Sequence, residues 1–173
     1  KVGGHRVLVS LIVCNKPGAG VLKIAEKEKI PVLLIQRDEF FKGSHYLPEL
    51  EQKNISFLVL AGFLWRIPTE LIHAFPGQII NIHPALLPAY GGKGMYGMAV
   101  HEAVIAAGDK ESGISIHDVD EQYDHGQIIF QATCAVSADD TAESLAKKIH
   151  TLEHAHYPEQ IALWMESKLS LNP

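Results

Sequence analysis

Short apolar runs rich in β-branched residues alternate with stretches of helical spacing along almost the whole chain, and this alternation limits the folds available to it. Val7–Val13 (VLVSLIV) is too short for most helices and reads as a buried strand. Turn-forming residues follow in Asn15–Gly20 (NKPGAG), and Val21, Leu22, Ala25 and Glu28 then recur at helical spacing between Gly20 and Lys29. The same reading predicts strands at Val32–Ile35, Phe57–Ala61 and Gln78–His83. It predicts helices at Ser44–Lys53 and after Pro68, whose ring suits a first helical turn. Met98–Ala107 is predicted to be a helix stopped by Gly108. Ile114–Val119 and Ile128–Val136 are predicted strands. Thr141–His154 begins a helix that Pro158 is expected to break or kink before a second stretch to about Leu169. Strands separated by helices imply βαβ units, hence an α/β fold with a largely parallel sheet covered on both faces. No linker or repeat divides the 173 residues, so a single domain over residues 1–173 is expected. A chain of this size buries roughly 70% of its unfolded surface.

Composition narrows the partners. Fifteen basic against twenty acidic side chains give a net charge of −5, which leaves no basic field to grip a phosphate backbone, so no nucleic acid partner is expected. Hydrophobic residues at 47% and charged residues at 20% rule out a disordered chain. No apolar run approaches the ~18 residues that a membrane-spanning helix needs, and no membrane partner is expected. Cys14 and Cys134 stand far apart without a CxxC pair, which excludes a disulfide framework or a Cys-rich zinc site and suits a reducing compartment. The expected location is the cytoplasm.

The chemistry concentrates in Asn81-Ile82-His83-Pro84. Residues i and i+2 of a strand share a face, so Asn81 and His83 point the same way. Pro84 keeps His83 extended and cannot donate to a continuing ladder, so the strand ends here with two polar side chains at its carboxyl edge. In open α/β sheets ligands bind at that edge. A second polar cluster, Asp118–Gly126 (DVDEQYDHG), lies between two apolar strands. Taken singly, the asparagine reads as a turn former, the histidine as a loop residue and the acidic segment as a solvated hairpin connection. Their combination at one strand edge points to catalysis. A carboxylate from the acidic segment beside the imidazole is expected to raise its pKa and fix its tautomer.

Four segments carry a family resemblance: Asn81–Pro88 (NIHPALLP), Ala61-Gly62-Phe63, Tyr123–Ile129 (YDHGQII) and Leu152–Pro158 (LEHAHYP). Over about Asn15 to Trp164 the chain resembles the phosphoribosylglycinamide formyltransferases, a branch of the folate-dependent formyltransferase family. The resemblance implies a three-layer, Rossmann-like formyltransferase fold. It implies transfer of a formyl group from 10-formyltetrahydrofolate, as co-substrate and without a metal, to the amine of glycinamide ribonucleotide in purine biosynthesis. By the same resemblance Asn81 donates to the developing oxyanion, a contact whose loss costs ~3–4 kcal/mol of barrier. His83 stabilises that oxyanion or moves the amine proton, a role worth roughly 10²–10⁴ in rate. Asp124 pairs with His83. Leu64, Trp65, Arg66 and Ile67, together with Asn81, match the folate-binding segment, although the arginine falls one place later than in relatives and leaves the role of Arg66 open. Pro84, His150 and Glu153 match substrate contacts, with Glu153 taking the ribose hydroxyls. The implied assembly is a monomer or a homodimer.

Two departures from the family pattern stand out. The loop Ala89–Gly97 (AYGGKGMYG) is longer and richer in glycine than the family's link and reads as a candidate mobile cover. The family's opening strand and glycine-rich phosphate loop have no counterpart, since Val7–Val13 aligns with the family's second strand. The family's first strand lies in mid-sheet, and each backbone group its loss would orphan costs ~1–3 kcal/mol. Several such groups rival a domain's whole stability of ~5–15 kcal/mol. The sequence is therefore expected to be incomplete before Lys1. Two other functions compete. His150-Thr151-Leu152-Glu153-His154 is a literal H-x-x-E-H, the pattern of a zinc hydrolase using His150, Glu153 and His154, but little chain follows to supply a third ligand. A non-catalytic folate or nucleotide binder is the other alternative. Of the remaining histidines, His5, His45 and His73 read as surface residues and His101 as opening a helix near the site. His117 reads as a partly buried packing residue, with a site-lining role as the alternative because its strand leads into the acidic segment.

Overall fold

The structure, a computed structural model, describes residues 7–171; His5 lies outside the described residues. β1 (Ile12–Cys14), α1 (Gly20–Glu28) and β2 (Val32–Leu34) form a parallel βαβ unit, with Ile12 opposite Val32 and Cys14 opposite Leu34. After α2 (Arg37–Phe40) and α3 (Leu47–Gln52), a second parallel unit is built from β3 (Leu58–Leu60), α4 (Thr69–Ala74) and β4 (Ile79–His83). α5 (Met98–Ala107) leads into β5 (Glu111–Asp118), which runs antiparallel to β4, and β6 (Ile128–Ala135) returns antiparallel to β5. The long helix α6 (Ala142–Leu171) follows. Hydrogen bonding orders the strands β3-β4-β5-β6, with β1-β2 as a separate pair. Among the described residues no ladder joins β1 to β3.

Alternation along β4 sends its side chains into two cores. Ile80 and Ile82 pack with Val104 of α5 and with Leu145, Ile149 and Trp164 of α6. Ile79 points to the opposite face and packs with Phe40, Leu50 and Leu71 of α2, α3 and α4. Helices therefore cover both faces, giving the three-layer, Rossmann-like α/β arrangement expected from the sequence. Leu145 and Ile149 are wholly buried, and burial of each such side chain contributes about 1.5–3 kcal/mol. These residues clamp β4 between the layers and fix the end that carries Asn81 and His83.

Two local expectations are corrected. The first strand is Ile12–Cys14 and not Val7–Val13, and Leu8 and Val9 are 63% and 65% exposed. A strand extends only as far as it has a partner, and β2 pairs with just these three residues. Pro158 does not break α6, which runs through it. The missing proline N–H removes one helical bond, but α6 is anchored on both sides of it. The Tyr157 hydroxyl donates to the Leu60 carbonyl at 2.7 Å, and the Trp164 indole donates to Asp118 Oδ1 at 2.8 Å. Tertiary packing here outweighs the local ~3 kcal/mol preference against proline.

Candidate active site

β4 ends at His83, and Asn81 and His83 share the face that its geometry dictates. His83 is only 4% exposed. Its Nε2–H donates to the Tyr90 carbonyl at 2.8 Å, which leaves the Nδ1 lone pair facing Asp124 Oδ1 at 3.5 Å. Asp124 reaches this position from the segment between β5 and β6, with a left-handed backbone at φ +52°. Its second oxygen, Oδ2, accepts the Gly92 N–H at 2.9 Å. Two glycines make the approach sterically feasible. A Cβ on Gly91 would lie 2.6 Å from Leu87 Cδ2 and 3.3 Å from Asp124 Cβ, and a Cβ on Gly126 would lie 1.8 Å from the Asp118 carbonyl oxygen.

The register of β4 and β5 decides between the two readings of His117 in favour of the site. His117 stands directly opposite Asn81. Its Nδ1–H donates to the Asp118 carbonyl at 2.8 Å, so its Nε2 accepts an N–H from the Asn81 amide at 3.1 Å. That bond fixes the amide's rotation and leaves its second N–H for the crevice. Asp124 Oδ1 also lies 3.7 Å from His117 Nε2. The only signal for this pairing in the sequence was that the strand of His117 leads into the acidic segment.

The His83 pKa lies below the ordinary histidine value, because the expected upward pull of Asp124 is present but outweighed. Burial of the charged form is the largest influence and lowers it. Asp124 and the Tyr90 carbonyl do raise it, but by less, and His117 lowers it further. The resting imidazole is thus neutral near pH 7, with a free lone pair and a carboxylate placed to stabilise a proton once one arrives.

The segment matched to folate binding forms one wall of the crevice, where Phe63, Trp65, Arg66 and Ile67 face Asn81, His117 and Asp124. Trp65 packs among Phe40, Phe41 and Phe63 at ring separations of 5.6–5.9 Å. Ile67 is buried in the core beneath, and Leu64 is turned outward and exposed. Arg66 acquires a defined structural role: its Nε and Nη2 donate to the Glu121 carbonyl at 3.2 and 2.8 Å, holding the acidic segment to the wall. His73 grips the same residue through Glu121 Oε1 at 2.9 Å. The first half of the glycine-rich loop is tied into the site through Tyr90 and Gly92, and so does not form a free cover over its whole length.

Pro84 directly follows His83, whereas His150 and Glu153 lie on α6 and do not line the crevice. The His150 side chain is exposed, with Nε2 4.0 Å from Glu153 Oε2. Burial raises the Glu153 carboxyl above its usual range, against the opposing pull of His150 and His154. His101, on α5, is buried, and burial followed by the nearby charges of His150 and His83 holds its pKa low. Among the described residues no three His, Cys, Asp or Glu side chains converge as a metal cluster around the H-x-x-E-H segment.

Comparison with known proteins supplies a context for this geometry. The model of the family described as formyl transferase matches residues 1–161. A phosphoribosylglycinamide formyltransferase, chloroplastic, of Arabidopsis thaliana is 42% identical over 93% of this chain and 57% of its own length. The Vigna unguiculata protein of the same name is 44% identical over 93% of this chain and 53% of its own. The chain thus spans little more than half the length of these relatives. A crystal structure of phosphoribosylglycinamide formyltransferase from Bacillus halodurans superposes with a TM-score of 0.81 at 36% identity, over 90% of this chain and 79% of that one. The two plant names correct the cytoplasmic expectation, because both relatives are chloroplastic. The relatives also disfavour the zinc-hydrolase and binding-only readings.

Proposed function

Because the chain belongs to the formyl transferase family, we propose that it transfers the formyl group of 10-formyltetrahydrofolate to the amine of glycinamide ribonucleotide, as a step of purine biosynthesis. The observation that carries this reading is the convergence of Asn81, His83 and Asp124 at the carboxyl end of β4. The crevice suits a flat heteroaromatic donor. Phe63 and Ile67 offer apolar surface, and Asn81, His117 and Asp124 add polar groups to the same lining.

In the proposed reaction a neutral amine attacks the formyl carbon, and charge develops on the formyl oxygen. The Asn81 N–H left free by His117 meets that oxygen. His83 Nδ1 takes the proton that the attacking nitrogen loses, and Asp124 stabilises the imidazolium so formed. The proton then passes to the departing folate nitrogen. Glu153 and His150, with Pro84 beside His83, are proposed to hold the ribose end of the nucleotide.

The test is an absorbance assay of the purified chain with 10-formyl-dideazafolate and glycinamide ribonucleotide, with Asn81→Asp as control. Turnover in the wild type that falls by two or more orders of magnitude in the variant is the expected result. Absence of formyl transfer from wild-type protein that binds both ligands overturns the proposal.

A further inference from the structure

Two acceptors compete for the single proton of neutral His83. Asp124 Oδ1 lies 3.5 Å from Nδ1 and favours the tautomer protonated there, while the Tyr90 carbonyl lies 2.8 Å from Nε2 and favours the other. Only the second leaves a lone pair on the nitrogen that faces the carboxylate. The outcome depends on where the Tyr90 carbonyl is held. Tyr90 has φ +55°, a region that side-chain-bearing residues seldom occupy, so its backbone needs an external hold. That hold is visible: the Tyr90 hydroxyl donates to Asp109 Oδ2 at 2.6 Å, just beyond the C-terminus of α5. Accepting this bond, the Asp109 carboxylate also pushes the phenol pKa above its ordinary value, so the hydroxyl remains a donor through the working pH range. Two residues further on, Gly92 N–H binds Asp124 Oδ2. One short turn therefore holds His83 by its outer nitrogen and Asp124 by its outer oxygen, with the inner atoms left to face each other.

We propose that Tyr90 is a positioning residue for His83: its hydroxyl, tethered to Asp109, fixes the carbonyl that selects the Nε2–H tautomer and thereby keeps Nδ1 free as the base. The inference rests on the reading of His83 as the reacting imidazole. Among the described residues the Tyr90 carbonyl makes the one hydrogen bond to the His83 ring, and Asp124 in the β5–β6 segment is its competitor at 3.5 Å; the other titratable neighbours are His117 on β5 and His101 on α5.

The test uses the whole chain with ¹⁵N-labelled histidine and compares Tyr90→Phe, Asp109→Ala and Asp109→Asn with wild type. Long-range ¹H–¹⁵N spectra of the wild type are expected to show His83 protonated at Nε2. Tyr90→Phe and Asp109→Ala are expected to populate the Nδ1–H form and to lose about three- to tenfold in kcat at unchanged KM, the loss of one ordinary hydrogen bond. Asp109→Asn keeps an acceptor for the hydroxyl and is expected to restore both readouts. An unchanged tautomer in folded Tyr90→Phe and Asp109→Ala overturns the proposal, as does Asp109→Asn behaving like Asp109→Ala. The spectra need no substrate, so the tether is decided even if formyl transfer itself is absent.

Discussion

A buried imidazole beside a carboxylate is drawn in two directions, and at His83 the burial prevails. The proposed activity would therefore depend on a base whose pKa lies below about 6.5, the usual histidine value. The acid limb of kcat/KM is expected to have its midpoint below that pH, and Asp124→Asn, which removes a stabilising charge, should move it further down while lowering kcat. A midpoint above 7 in the wild type contradicts the burial argument. His83→Ala should lower kcat by roughly 10²–10⁴ and leave the affinity for either ligand nearly intact, as measured by titration. The same shift has a stability consequence. His83 and His101 both bind protons more readily unfolded than folded, so the native state should weaken as pH falls through about 6.5, until the folded-state values are reached. Urea midpoints at pH 7.5 and 5.5 test the sign. The sequence disclosed the shared face of Asn81 and His83 because strand alternation and Pro84 are local facts. It could not disclose the pKa direction, because desolvation depends on what packs over His83, nor His117, whose partnership with Asn81 arises from register.

Among the elements, α6 departs most from its sequence reading. Its path through Pro158 is held by contacts with distant residues, Tyr157 with the Leu60 carbonyl and Trp164 with Asp118. Lys168 adds a second contact to Asp118 at 3.3 Å and lies over the Trp164 ring. Asp118 also supplies the carbonyl that fixes the His117 tautomer, so this helix supports the site through β5. Trp164→Phe keeps the aromatic packing but leaves Asp118 Oδ1 without its donor. The expected cost is about 1–3 kcal/mol in urea unfolding. A change below about 0.5 kcal/mol would show that Lys168 alone suffices. Local propensity predicts an interruption at Pro158, and long-range anchoring overrides it.

For the molecule as a whole, the alternation of apolar runs and helical spacing carried most of the architecture, and the four-residue helix α2 was the element it missed. Its few residues show too little periodicity to register, and Phe40 is recognisable only through the core it enters. The difference in burial predicts a sharp contrast in tolerance. Leu145→Ala, at a wholly buried position between α6 and the sheet, should cost about 2–5 kcal/mol. Leu64→Ala, on the outward side of the crevice wall, should change stability by no more than about 0.5 kcal/mol. Equal costs at the two positions would refute the layer assignment.

The bond from Arg66 to the Glu121 main chain joins two segments fifty-five positions apart in the chain. Its acceptor is a peptide oxygen, which every amino acid supplies. Mutational drift at 121 can therefore alter the charge displayed at the rim without widening the gap between the two walls, whereas exchanging the guanidinium at 66 even for an ammonium replaces a two-pronged grip with a single point of attachment.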